Sequence, residues 1–157
     1  MNCKMPELKA AFEAAGFKNV KTLLSSGNVV FDATSGSEKS IQNKAEAAME
    51  KHMGKRFSTI VRSVDALRDI LASDPYSGFQ LAAGSKKVVT FLKEAPRSKP
   101  SLPVKLGGAT IYSMGETEAF TAYERIDNGP VFMTLIEKTF GKDVTTRTWD
   151  TIARVAR

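Results

Sequence analysis

The order in which helical and strand-like patterns follow one another constrains this chain more than any other feature. Met5, Leu8, Phe12 and Ala15 recur at helical spacing, with Pro6 suited to a first turn and Gly16 to a C-terminal cap. Residues 20–25 and 29–32 are rich in β-formers and flank Ser26-Gly27-Asn28, where Gly and Asn tolerate positive φ, so a hairpin is expected. Ile41, Ala45, Ala48, Met49 and Met53 line one face of a second helix, which Gly54 ends. Residues 57–62 read as a strand. The first half thus runs helix, strand, strand, helix, strand.

Ser63 can cap a third helix bearing Val64, Leu67, Ile70 and Leu71, which Asp74-Pro75 stops. Residues 76–85 read as a joining loop, and 88–92 as a buried strand. Pro96, Pro100 and Pro103 make the following stretch irregular, with at most a short helix. Strands are expected at 109–113 and 117–123 around Met114-Gly115-Glu116. A helix starts at Asn128-Gly129-Pro130, carries Phe132, Leu135, Ile136 and Phe140, and ends at Gly141. A short strand at 144–146 precedes a last helix marked by Trp149, Ile152, Ala153 and Ala156. This is the β-α-β-β-α-β order, and the first half shows the same order without its opening strand. The expected fold is therefore α+β: two ferredoxin-like α/β-sandwich subdomains, 1–75 and 76–157, the first lacking its opening strand, with no sequence repeat between them. The opening strand of such a sheet is central. Without it, backbone groups stay unpaired unless the sheet rearranges, residues ahead of Met1 supply it, or another chain does.

Composition excludes several classes. The 157 residues are 42% hydrophobic and 25% charged, enough apolar surface for a folded core. Cys3 is the only cysteine, which removes intrachain disulfides and a Cys-based zinc site and suits a reducing compartment. No apolar run is long enough to span a membrane, and the first residues lack the apolar core of a signal peptide, so a cytoplasmic protein is expected. His52 is the only histidine, and the sequence contains no P-loop, Cys-x-x-Cys, His-Glu-x-x-His or Gly-x-Ser-x-Gly motif. We therefore expect no metal and no cofactor; catalysis stays an open question.

Met5-Pro6-Glu7-Leu8, Gly16-Phe17 and Ser26-Gly27-Asn28-Val29-Val30-Phe31 resemble the start of the bacterial domain-of-unknown-function family 1697. Glu137-Lys138-Thr139-Phe140-Gly141, followed by Thr145-Thr146-Arg147-Thr148-Trp149, is similar to that family's C-terminal signature. The resemblance implies a two-lobed α+β fold and carries no activity to transfer. Three features depart from the family's pattern. Its usual opening strand and Gly-Ile-Asn-Val-Gly-Gly loop have no counterpart here. Thr148 stands where the family commonly has Asn, and Val131-Phe132-Met133 where it often has Ser-Lys-Leu.

Net charge is +6, and most of the excess lies between Gln80 and Gly115, where Lys86, Lys87, Lys93, Arg97, Lys99 and Lys105 face the single acid Glu94. Such an excess attracts phosphates and other anions, although a solvated loop and strand edge would look the same. Three places could hold a ligand. Ser26, Gly27 and Asn28 could offer backbone N–H groups and an amide to an anion, or simply build the hairpin. Thr145, Thr146, Arg147 and Trp149 stand before a helix, where hydroxyls, a guanidinium and a stacking ring suit a phosphate or carboxylate. The alternative there is a capping Thr, a core Trp149 and an internally paired Arg147. Arg62 lies between a strand and a helix cap, where it could reach a cleft or simply meet solvent. The first functional reading is a binding module for an anionic small molecule or nucleic acid. The second is an enzyme using Asn28, Arg62 and Arg147 in a cleft between the halves. The third is a structural protein that forms a homodimer through the exposed sheet of its first half.

Overall fold

A computed structural model describes residues 4–23, 27–33, 36–96, 98, 100–124 and 128–156. The protein is α+β, and its chain divides into two compact units, Met1–Val64 and Asp65–Arg157.

In the first unit, α1 (Met5–Ala14) has Pro6 in its first turn, and Gly16 adopts φ 96 just beyond its end. This is the conformation in which a residue without Cβ lets the chain turn out of a helix. The strands β1 (Lys18–Leu23) and β2 (Asn28–Asp32) pair antiparallel, with an irregularity between Lys18 and Lys21. The Ser37 hydroxyl accepts from the Ser40 N–H to cap α2 (Glu38–Met53), and Gly54 closes that helix in the left-handed conformation. Helix and sheet enclose Leu8, Ala11, Phe12, Phe17, Val20, Ala45 and Met49. Phe31 on β2 lies with its ring centroid 5.2 Å from that of Phe12 and 4.4 Å from that of Phe17. Each fully buried Leu, Phe, Val or Met side chain among these contributes about 1.5–3 kcal/mol.

The expected strand at 57–62 is not formed. This stretch instead runs back along α2, held by two carboxylates of that helix. The Thr59 N–H donates to Glu46 at 2.8 Å and the Ser63 N–H to Glu38 at 3.0 Å, while Arg56 bridges Glu46 and Glu50. Glu46 is 4% exposed, so its charge is compensated by these donors rather than by water. The physical reason for the missing strand is the one that sets β-propensity generally. A β-rich segment becomes a strand only against a pleated neighbour, and the unit's sheet is two-stranded among the described residues.

The second unit opens with α3 (Val64–Ser73), whose first residue is the last of the first unit. The strands β3 (Lys86–Leu92), β4 (Val104–Leu106), β5 (Ala109–Met114), β6 (Glu118–Tyr123) and β7 (Val144–Thr148) form one antiparallel sheet in the order β4-β5-β6-β3-β7. With β4 set aside, this is the strand order of the β-α-β-β-α-β arrangement, its opening strand β3 central. No short helix lies between β3 and β5 among the described residues; the proline-rich stretch leads into the edge strand β4. The prolines explain this, since each lacks the N–H that a helix interior needs.

Paired residues of neighbouring strands share a face, and alternate residues change face. On one face Val88, Ala109, Ile111 and Ala119 pack against Phe132, Leu135 and Ile136 of α4 (Asn128–Phe140). The opposite face carries Lys87, Val89, Phe91, Phe120, Ala122 and Arg147. Helix α5 (Trp149–Val155) follows β7 directly, and the Arg68 Nε–H of α3 donates to the Ala156 carbonyl at its end.

Candidate functional site

Ser26 lies outside the described residues. Gly27 takes φ 86 next to β2, and the Asn28 amide donates to the Leu23 carbonyl at 3.1 Å with the residue 9% exposed. The geometry thus engages Gly27 and Asn28 in the hairpin. Arg62 is half-buried, with a guanidinium N–H donated to the Val61 carbonyl. These residues belong to the first unit, and the Thr145–Trp149 motif belongs to the second.

Strand alternation splits the motif. Thr146 pairs with Thr90, on the α4 face, whereas Thr145 pairs with Phe91 and Arg147 with Val89, on the opposite face. Thr148 caps α5 by accepting from the Thr151 N–H. The hydroxyl of Thr90, wholly buried, has no hydrogen-bond partner among the described residues.

On the second face the structure gathers Arg147, Trp149, Lys87 and Tyr76. Lys87 and Arg147 occupy the adjacent strands β3 and β7 in diagonal register, which places their Cβ atoms roughly 7–8 Å apart. The Lys87 Nζ sits 5.4 Å from the Tyr76 ring centroid and 6.0 Å from that of Trp149. The two rings meet edge to face at 5.4 Å and 87°. Tyr76 is 2% exposed, and its hydroxyl lies 2.8 Å from the Thr121 carbonyl and 3.0 Å from that of Val88, sharing one proton between them. Thr121 also bonds the Val88 carbonyl through its own hydroxyl. Burial pushes the Tyr76 phenol well above its ordinary pKa, so it is a neutral anchor at any physiological pH. Arg147 is half-buried, and burial lowers its pKa from the ordinary arginine value. One of its N–H groups donates to the Thr146 carbonyl at 2.8 Å.

This face can bring two cations and an aromatic edge to one ligand. Sequence reading found Arg147 and Trp149 through their motif, but counted Lys87 only as part of a basic stretch and placed Tyr76 in a joining loop. Their convergence depends on strand register, for which the sequence carries no local signal. The rest of the basic stretch is dispersed. Lys86 is exposed, Lys93 follows β3, and Arg97 and Lys99 lie outside the described residues. Lys105 lines a separate open groove of about 410 Å³ with Lys138, Thr139 and Leu135. Among the described residues no group of three His, Cys, Asp or Glu side chains could hold a metal, and no helix is long and apolar enough to cross a membrane.

Fold and site together define an α+β protein with an antiparallel sheet whose second face carries paired cations. The chain belongs to the family described as "Protein of unknown function (DUF1697)", whose model matches residues 1–119. The C-terminal signature lies beyond those residues. Among solved structures, the chain is similar to the conserved bacterial protein SP0830 from Streptococcus pneumoniae, with a TM-score of 0.72 and 19% identity over 99% of this chain and 88% of that one. At that identity the likeness is one of fold. No curated protein matches the chain.

Proposed function

We propose that this protein is a binding module for an anionic ligand, taken at the sheet face where Lys87 and Arg147 flank Trp149. The supporting observation is the half-buried guanidinium of Arg147, which gives up hydration in a position one residue row from a second cation. A desolvated cation gains more from an anion than an exposed one, because the local dielectric is lower. A guanidinium presents its donors in a rigid planar fork, a geometry that suits a phosphate or carboxylate. Trp149, half-buried and backed by the buried ring of Tyr76, supplies flat apolar surface beside the charges, which favours a phosphate or carboxylate attached to a ring, and nucleic acid is one source of that chemistry.

The test is titration of the protein with pyrophosphate, a nucleoside monophosphate and a single-stranded oligonucleotide, followed by amide and indole NMR shifts. Binding should perturb Trp149 and the Lys87 and Arg147 amides. Arg147→Ala should weaken it by about 1.5–3 kcal/mol, the usual size of a charged hydrogen bond. Absence of binding by all three probes would sink the reading. If the oligonucleotide binds through its phosphates, affinity must fall steeply with salt; a flat dependence would leave only the small-anion form.

A further inference from the structure

The groove of about 410 Å³ beside β4 is separate from the sheet face that carries Lys87 and Arg147. Its size is within the usual range of small-molecule sites. It lies between β4, the segment ahead of that strand and the C-terminal turns of α4. Its floor is apolar. Val104 and Leu106 share the α4 face of the sheet through their pairing with Ile111 and Ala109, and Leu135 of α4 lines the same groove. Leu106 remains 37% exposed, one of three large apolar side chains left so open among the described residues. The rim is cationic. Lys105 of β4 and Lys138 in the last turn of α4 both line it and are exposed. Among the described residues no carboxylate lines the groove, and neither lysine has an ion-pair partner. A helix C-terminus ordinarily repels an anion. Here the Leu135 carbonyl accepts from the Thr139 hydroxyl at 2.8 Å and the Glu137 carbonyl from the Gly141 N–H at 2.9 Å, which weakens that repulsion.

We propose that this groove binds a small organic anion with a short apolar chain, its head group held by Lys105 and Lys138 and its chain laid against Val104, Leu106 and Leu135. The inference is independent of the reading at Lys87 and Arg147, because it uses different residues. Two observations select this class of ligand. Lysines with no acid beside them complement a negative charge, but two exposed ammonium groups hold a bare ion weakly, because water and salt screen them. The apolar floor and the open Leu106 side chain gain only from a chain, roughly fourfold in affinity for each fully buried methylene. A purely polar anion leaves the floor unused, and a neutral chain leaves the lysines unused.

The experiment is NMR titration of the intact protein with butanoate, hexanoate, octanoate, hexanol and inorganic phosphate, following the amides of Lys105, Leu106, Lys138 and Thr139. We expect affinity to rise about two- to fourfold per added methylene along the carboxylates, with hexanol and inorganic phosphate both weaker than hexanoate. Lys138→Gln should weaken hexanoate binding about fivefold, the size of one near charge in water. Leu106→Ser should flatten the dependence on chain length. Both side chains are exposed, so each variant should keep the folded spectrum of the parent. Absence of shifts at these amides with every carboxylate would overturn the proposal. So would a series flat in chain length, hexanol binding as tightly as hexanoate, or an affinity unchanged in either variant. Shifts confined to the Trp149 indole and the Lys87 and Arg147 amides would overturn it too, and would assign the carboxylates to the sheet face.

Discussion

The two units use similar parts around different centres. In the second, β3 has partners on both sides, and every residue from Val88 to Leu92 is buried. In the first, β2 has β1 alone among the described residues, and Val29, Val30 and Phe31 remain half-buried. The difference teaches what a central strand does. With β3 present, β7 finds a ladder to join even though its residues are polar. Among the described residues of the first unit, the stretch at 57–62 forms no strand and is held by helix carboxylates instead. Pairing opportunity outweighs propensity at 57–62.

The comparison can be broken in several places. The largest effect should come from the sheet centre of the second unit. Ile111→Ala, at a wholly buried site on the α4 face, should cost about 2–5 kcal/mol in denaturant unfolding. A loss under about 1 kcal/mol would mean that the core there is less tightly packed than described. Next is Glu46→Ala in the first unit. It removes the acceptor that holds Thr59 and should cost about 1–3 kcal/mol while exposing the 57–62 amides to exchange. If those amides keep their protection, a pairing other than the helix carboxylates holds the segment.

Tyr76→Phe should cost about 1 kcal/mol by removing the phenolic donor that the Thr121 and Val88 carbonyls share. The substitution also has a pH signature. The folded phenol titrates above its unfolded value of 10.0, so Tyr76 contributes fully below that pH and loses its contribution as pH rises beyond it. Denaturation at alkaline pH should therefore be shallower in Y76F than in the parent protein. The smallest effect is Ser37→Ala at the exposed α2 cap, about 0.5 kcal/mol in thermal unfolding.

Much of the architecture was legible where local chemistry decides it. Pro6 and Gly16 bracket α1, Gly54 ends α2, and the hairpin glycine Gly27 takes the positive φ its position demands. Pro96, Pro100 and Pro103 warned correctly of an irregular stretch, though not of β4. The misreading of 57–62 has a different origin. Its pattern is that of a strand, but strand formation depends on a partner that no local window contains. The same limit applies to the site. Arg147 and Trp149 stand in a short readable motif. Lys87 and Tyr76 reach them only because β3 pairs with β7 in one register and the phenol of Tyr76 inserts at Val88 and Thr121. Glu46 was hidden for a related reason. It sits on a helix in a pattern that suggests a solvated face, and its burial follows from where the next segment runs.

Among the described residues β3 is paired on both sides and β2 on one. Residue-resolved amide hydrogen exchange, at a dilution where light scattering reports the monomer, compares them in a single experiment. The account predicts slow exchange at every residue from Val88 to Leu92, and in β2 an alternation of slow and fast amides, the fast ones pointing away from β1. Uniformly slow exchange along β2 in the monomer, or an alternating pattern along β3, would contradict it.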